Sequence, residues 1–152
     1  MYSPVDTSVK AYIMGDVNRP PATHDFALLF AALSDRTRLR LLNLMGGREV
    51  CVCYFVGILG QSQPKISRHL AYLRRAGIVA ARREGKWMHY RIVAPRNEGA
   101  ARILRETLTA LREDKAMQAD LHRLNQACCA PQKLSLLGGA PVPVPVDTAL
   151  LS

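Results

Sequence analysis

The sequence predicts an α+β chain that is mostly α, and three observations support that fold class. Apolar residues recur at helical spacing in four stretches, which is the pattern of amphipathic helices. One stretch, residues 78–93, instead alternates with a period of two, as the arms of a β-hairpin do. The chain has 152 residues, 49% of them apolar, so it suits one domain with enough apolar surface for a core.

The first two predicted helices lie between residues 23 and 45. Thr23 is the expected N-cap of the first helix, and Ser34 with Asp35 is typical of the start of the second. Glycines at positions 46 and 47 end the second helix. Residues 50–59 are almost continuously apolar, and their pattern is compatible with either a buried strand or a short buried helix.

A third helix and a hairpin are predicted next. Ser62 is a favourable N-cap, Pro64 falls in the first turn, where a missing N–H costs nothing, and Gly77 ends the helix. The hairpin turns at residues 84–86, and both of its arms carry arginines.

A helix of about thirty residues is predicted after Asn97, its expected N-cap. Two apolar stripes run along it, slightly out of phase around Lys115. Because so small a core cannot cover a helix of that length, we expect it to pair with a second copy of the chain. The order helix, helix, short buried element, helix, hairpin and long helix is that of a winged helix-turn-helix with a long C-terminal dimerisation helix.

Both ends of the chain are predicted to lie outside this domain. We expect a flexible N-terminal arm at 1–22, the DNA-binding and dimerisation domain at 23–127, and a Cys-Cys element with a disordered tail at 128–152. Proline alternates with valine from position 141 to position 146. That pattern is extended and cannot pair in the interior of a sheet.

The positive charge of the chain is concentrated in its middle. Residues 36–96 hold 13 basic and two acidic residues, a net charge of +11, whereas the rest holds 8 basic and 10 acidic residues, a net charge of −2. A basic middle between near-neutral ends is the footprint of a nucleic-acid surface. The alternative is a basic face that only water covers.

The thiols are expected to be reduced. No apolar run approaches the ~18 residues that span a bilayer, and residues 1–15 lack the basic and apolar regions of a secretory signal. Four cysteines in such a chain indicate ligand or redox chemistry rather than disulfides. We therefore predict a cytoplasmic protein with no membrane partner.

Four segments resemble the ArsR/SmtB family of metal-responsive repressors, and most closely its arsenite-responsive members. The segments are residues 33–38 (LSDRTR), 49–53 (EVCVC), 62–70 (SQPKISRHL) and 85–91 (GKWMHYR). The resemblance implies a homodimeric repressor that binds double-stranded operator DNA near arsenical-resistance genes and leaves it when metal binds. It also implies that Cys51 and Cys53 supply thiolates to As(III), with Sb(III) as a second inducer.

The thiol set departs from the family pattern at one position. The third cysteine of well-known arsenite repressors corresponds to Val56 here, so we predict that Cys128 and Cys129 complete the metalloid site. On a regular helix Cys51 and Cys53 would point about 200° apart. They can share one ion only if the segment begins in a non-helical conformation. The alternative is two small buried apolar side chains.

The predicted DNA contacts lie on the third helix and on the hairpin. Gln pairs with adenine and Arg with guanine in the major groove, and a basic hairpin follows phosphates or the minor groove. The predicted set is Ser62, Gln63, Lys65, Ser67 and Arg68 on the helix, and Arg82, Arg83, Lys86 and Arg91 on the hairpin.

Other functions on the same fold remain open. A thiol redox-sensing repressor is the main alternative, because Cys128 and Cys129 are adjacent. Sensing of another soft metal (Sb, Cd or Zn) is a further one, and Asp120 with His122 is a partial match to a zinc site on the last helix. No phosphate loop, Cys-x-x-Cys or paired-carboxylate motif is present, so we predict no enzymatic activity and no organic cofactor.

Overall fold

Aspartate side chains begin the first two helices of the computed structural model, which describes residues 24–129 and 139–146. Helix α1 spans Phe26–Leu33 and α2 spans Arg36–Leu44. Asp25 accepts a hydrogen bond from the backbone N–H of Leu28 at 2.9 Å, and Asp35 accepts one from Arg38 at 2.9 Å. The cap of α1 is therefore Asp25 and not Thr23, which lies outside the described residues, as does the predicted arm.

The apolar segment that follows is both a strand and a helix. Strand β1 spans Arg48–Cys51, and helix α3 spans Val52–Leu59. Cys51 stands at the junction as the N-cap of α3, with extended backbone angles (φ −69°, ψ 142°). The ambiguity of the sequence pattern thus reflects a real change of conformation in the middle of one apolar run.

Helices α3 and α4 form the helix-turn-helix. Gly60, in the left-handed conformation at φ 63°, ends α3. Helix α4 spans Gln63–Arg75 and buries Ile66, Leu70 and Leu73. Ser62 occupies the predicted N-cap position, although its side chain makes no capping hydrogen bond.

The predicted hairpin is present and belongs to a larger antiparallel sheet. Strands β2 (Val79–Glu84) and β3 (Trp87–Ile92) pair along their whole length. Strand β1 pairs with β3, which places Cys51 opposite His89. The residue that bears the first thiol is therefore joined to the hairpin, which forms the wing. The winged helix-turn-helix fold class is confirmed.

The long last helix is two helices, and the prediction of one continuous helix is wrong. Helix α5 spans Glu98–Leu111 and helix α6 spans Lys115–Cys129. Asp114 caps α6, because its Oδ1 accepts hydrogen bonds from the N–H groups of Ala116 (2.8 Å) and Met117 (3.1 Å). The phase change of the apolar stripes near Lys115 marks this break.

Polar contacts fasten α6 to α2 of the same chain. The guanidinium of Arg40 donates two hydrogen bonds to Asp120, at 2.6 and 2.8 Å, and the Asp120 side chain is only 1% exposed. The side-chain amide of Asn43 donates to the backbone carbonyl of Met117 at 2.9 Å. These contacts turn α6 back onto the domain instead of letting it continue the direction of α5.

Part of the proline-valine segment forms a short strand within residues 139–146, the part of the predicted tail that the structure describes. Strand β4 (Val144–Pro145) pairs with β1 at the edge of the sheet, in the order β2-β3-β1-β4. The backbone N–H of Val146 donates to the carbonyl of Gly47 at 3.1 Å. An edge strand pairs on one side only, so the prolines can occupy positions where no donor is needed.

The core is one continuous cluster of apolar side chains from all the helices and from the sheet. Tyr54 and Phe55 of α3 are among its largest fully buried members. Within the described residues, no helix is long and apolar enough to cross a lipid bilayer.

Candidate DNA-binding surface and thiol site

Helix α4 presents its polar side chains to solvent at its N-terminal end. Four of the five predicted contacts on this helix are exposed, namely Ser62, Gln63, Lys65 and Arg68, whereas Ser67 is half-buried. Since the buried face carries Ile66, Leu70 and Leu73, the polar side chains lie on the opposite face. An exposed polar N-terminal end is what a recognition helix needs to enter the major groove.

His69 lies at the edge of this surface. Its Nδ1 is 3.5 Å from Oδ1 of Asp35, the residue that caps α2. Burial lowers the pKa of His69, and the nearby carboxylate of Asp35 only partly opposes that shift. The neutral imidazole therefore contributes packing between α2 and α4, as expected for a histidine close to the buried face.

The basic residues of the wing differ in the contacts that they make within the chain. Arg82 is paired with Glu49, with Nη2 2.6 Å from Oε1, and also approaches Glu84 at 3.4 Å. Arg83 donates to the carbonyl of Gly85 at 3.0 Å. Because acidic neighbours compensate its charge, Arg82 is the weakest of the predicted phosphate contacts.

Lys86 and Arg91 complete the predicted wing contacts. The ammonium of Lys86 lies 4.7 Å from the ring centroid of Trp87, next to the turn of the hairpin. Arg91 is exposed on β3. Lys86 lies at the turn, whereas Arg91 pairs with Ala80 near the base of the hairpin.

The three arginines at the start of α2 have separate roles, which the sequence pattern did not assign. Arg38 donates to the carbonyls of Ala31 and Ala32 at the end of α1, at 2.6 and 2.8 Å, and its guanidinium stacks 4.3 Å from the ring centroid of Tyr72. Arg40 is held by Asp120. Arg36 is left exposed.

Cys51 and Cys53 converge at the junction of β1 and α3. Cys51 is fully buried, and Cys53 is half-buried in the first turn of the helix. The pKa of the Cys53 thiol is raised to about 11 by burial and by the neighbouring Cys51, whose side chain forms a hydrogen bond with it. The non-helical backbone of Cys51 thus meets the condition under which the two thiols face one another.

The C-terminal cysteines are not equivalent. Cys128 is half-buried and packs against the core, whereas Cys129, the last residue of α6, is exposed. Burial raises the pKa of Cys128, and Arg48 opposes that shift. Of the two, only Cys128 is directed toward the domain.

Tyr54 links Cys128 to the first two thiols. Its side chain is fully buried, and the pKa of its phenol is raised by burial, then by Cys128, Cys51 and Cys53. Helix α3, which carries Tyr54, packs against α6, which carries Cys128. A buried tyrosine thus lies on the helix that carries Cys53 and packs against the helix that carries Cys128, and the sequence patterns did not single it out.

A complete set of ligands is not assembled in advance. Across residues 24–129 and 139–146, no three His, Cys, Asp or Glu side chains are grouped closely enough to hold a metal ion. Asp120 is committed to Arg40, and His122 is exposed, so neither supports the partial zinc match on α6.

The family follows from comparison with known proteins. The model of "Bacterial regulatory protein, arsR family" matches residues 35–81, from the start of α2 into β2. The chain is 42% identical over 103 residues to the arsenical resistance operon repressor of Escherichia coli, a match that covers 67% of this chain and 86% of the relative. This chain belongs to the arsR family. It is thus a transcriptional repressor that binds DNA.

The chain is similar to two further proteins. It is 45% identical over 80 residues to the arsenic resistance transcriptional regulator ArsR1 of Pseudomonas putida, covering 52% of this chain and 58% of that protein. The crystal structure of the AntR antimony-specific transcriptional repressor is 28% identical, with a TM-score of 0.47, covering 73% of this chain and 96% of that one. The family is one of transcriptional regulators, which confirms the prediction that the chain is not an enzyme.

Proposed function

We propose that this repressor responds to arsenite, binds its operator as a homodimer, and is released when Cys51, Cys53 and Cys128 bind As(III). The observation that carries the proposal is the contact between the thiols of Cys51 and Cys53 at the strand–helix junction beside the reader helix α4. The resistance functions named for the two arsenic-related relatives support the same inducer.

The chemistry of the donors suits trivalent arsenic. A soft centre selects sulfur ligands. Each thiol that condenses with As(OH)3 replaces one hydroxyl, and its proton leaves with that hydroxyl as water. Cys51 and Cys53 supply two sulfur atoms, and Cys128 is the better placed of the two C-terminal cysteines to supply the third, because Cys129 is exposed.

The position of the thiols suggests how binding reaches the DNA surface. Helix α3 begins at Cys51 and packs against α4, while β1 ends at Cys51 and pairs with the wing strand β3. Binding of As(III) by Cys51, Cys53 and Cys128 would displace the first turn of α3. Because α3 packs against α4 and β1 pairs with β3, that displacement would reach both the reader helix and the wing.

The proposed DNA contacts follow the exposed polar surface. The reader helix contributes Ser62, Gln63, Lys65, Ser67 and Arg68, and the wing contributes Arg83, Lys86 and Arg91, with Arg82 in a minor role because Glu49 compensates its charge. Base-edge contacts from the helix supply sequence choice, and wing contacts to phosphate supply affinity that salt weakens.

The homodimer proposal rests on α1. Phe26 and Phe30 lie one helical turn apart and are 38% and 54% exposed, an apolar pair on the surface of the first helix. A second copy of the chain is the partner that would cover them. A two-fold dimer binds a pseudo-palindrome with half-sites about 10 bp apart, or a multiple of that spacing.

Operator binding measured during an arsenite titration tests the proposal. Arsenite should release the wild-type protein, and by reciprocity operator DNA should weaken arsenite binding by the same factor, typically ~1–3 kcal/mol of coupling. Equal arsenite affinity with and without operator would contradict the switch. Release by peroxide instead of arsenite, with sulfur oxidation seen by mass spectrometry, would favour the redox-sensing alternative.

A further inference from the structure

Tyr54 carries a polar group that the fold does not use. The side chain is 0% exposed, and its hydroxyl has no hydrogen-bond partner among the described residues. A buried hydroxyl without a partner destabilises the fold. The next residue, Phe55, is equally buried and fills the core without a hydroxyl. Packing therefore explains the ring of Tyr54 but not its hydroxyl.

The surroundings of this hydroxyl point to a ligand. Tyr54 is next to Cys53 and three residues after Cys51 in the first turn of α3, and α3 packs against α6, the helix that carries Cys128. Residues three apart lie on the same side of a helix. An unpaired donor and acceptor thus lies close to the two thiols that the proposed function assigns to As(III).

The reaction of arsenite with two thiols leaves one hydroxyl on arsenic that the phenol of Tyr54 can bind. When Cys51 and Cys53 condense with As(OH)3, two S–As bonds replace two As–O bonds, and two molecules of water leave. The oxidation state of arsenic does not change. One hydroxyl remains on the arsenic, and it is a hydrogen-bonding group inside a site where solvent does not reach the Tyr54 side chain.

We propose that Tyr54 is a specificity-determining residue of the metalloid site, whose phenol hydroxyl hydrogen-bonds the hydroxyl that arsenite retains after Cys51 and Cys53 have bound it and before Cys128 replaces it. The inference rests on the proposed function, since it needs those two cysteines as ligands. It adds that the site distinguishes arsenite from organic arsenicals, which carry carbon at the third position of arsenic.

The test compares two ligands in the full-length chain with Cys128→Ala, so that no third sulfur replaces the remaining hydroxyl. Arsenite keeps one hydroxyl after two condensations, whereas methylarsonous acid, CH3As(OH)2, keeps none. Calorimetry then gives the Kd of each ligand with Tyr54 and with Tyr54→Phe. We expect Tyr54→Phe to raise the Kd of arsenite about tenfold, the loss of one hydrogen bond, and to leave that of methylarsonous acid unchanged.

A matched control is Tyr72→Phe, which removes a hydroxyl from a half-buried tyrosine on α4. It should leave the ratio of the two Kd values unchanged. Thermal unfolding should show Tyr54→Phe to be at least as stable as its parent, because an unpaired buried hydroxyl is removed. An unchanged Kd ratio in Tyr54→Phe, or an equal change with both ligands, would overturn the inference.

Failure of the proposed function gives a different result. If Cys51→Ser or Cys53→Ser left the affinity for both arsenicals intact, the two cysteines would not be the ligands, whatever Tyr54→Phe did.

Discussion

Helix α4, the proposed reader helix, and the thiol junction, where β1 meets α3 at Cys51 and Cys53, are neighbours in the structure. They differ in how exposed their functional side chains are. Helix α4 displays polar side chains such as Gln63 and Arg68 to solvent, ready to meet a large rigid ligand. The junction of β1 and α3 hides Cys51 completely and Cys53 in part, with an unpaired phenol beside them. Side chains that contact DNA must be exposed. Thiols that bind a small neutral ligand can be buried, and on the proposed function binding of the ligand changes the packing around them.

The largest expected effect is at the thiol junction. Cys53→Ser should abolish arsenite-driven release of the operator, because an alcohol is a poor ligand for a soft centre. DNA affinity without arsenite should stay within about twofold, since the reader helix is unchanged. Fluorescence anisotropy of labelled operator, with and without arsenite, measures both quantities. Full release of the variant at wild-type arsenite concentrations would exclude Cys53 as a ligand.

The next effect tests what holds α6, and with it Cys128, against the domain. Asp120→Ala should destabilise the chain by about 3 kcal/mol, because Arg40 loses the partner of a largely buried ion pair. Urea unfolding gives the free energy. Arg123→Ala is the control, since Arg123 contacts the same carboxylate at 3.4 Å from an exposed position and should change stability by less than about 0.5 kcal/mol. Similar losses in the two variants would mean that Asp120 does not anchor α6.

The reader surface is tested by comparing a helix residue with a wing residue. Arg68→Ala should cost about 1–3 kcal/mol on the operator and relax sequence choice, whereas Arg83→Ala should weaken binding to all sequences alike and reduce the salt dependence. Affinities for operator and for unrelated DNA at several salt concentrations separate these outcomes. Unaltered operator preference in Arg68→Ala would show that another face of α4 reads the bases.

The smallest expected difference lies between the two adjacent C-terminal cysteines. Cys128→Ser should raise the arsenite concentration needed for release about tenfold, through loss of one sulfur ligand. Cys129→Ser should leave it unchanged, because that side chain is exposed. The double variant should match Cys128→Ser. A double variant that responds like the wild type would make the site a two-thiol site.

The sequence by itself determined the order of the elements and the reader surface. Periods of 3.6 and 2 residues placed α4 and the hairpin, and the same period put Arg68 opposite Leu70. These features depend on contacts between residues near one another in the chain. They can therefore be predicted from the local pattern of residue types. The sequence could say only that Cys51 and Cys53 share one ion if their segment begins in a non-helical conformation. A two-residue spacing places side chains differently in a strand and in a helix, and the pattern did not decide between the two.

Tertiary structure decided the rest. The break at residues 112–114 depends on Asp114 capping α6 and on a pairing of Arg40 with Asp120 across 80 positions of the chain. The edge strand at 144–145 needs a free edge of β1, which only the assembled sheet provides. The difference between Cys128 and Cys129, and the burial of Tyr54, arise from packing between helices that lie far apart in the chain. Contacts between distant segments leave no periodic signature in the residues that make them, and for that reason only the folded chain shows them.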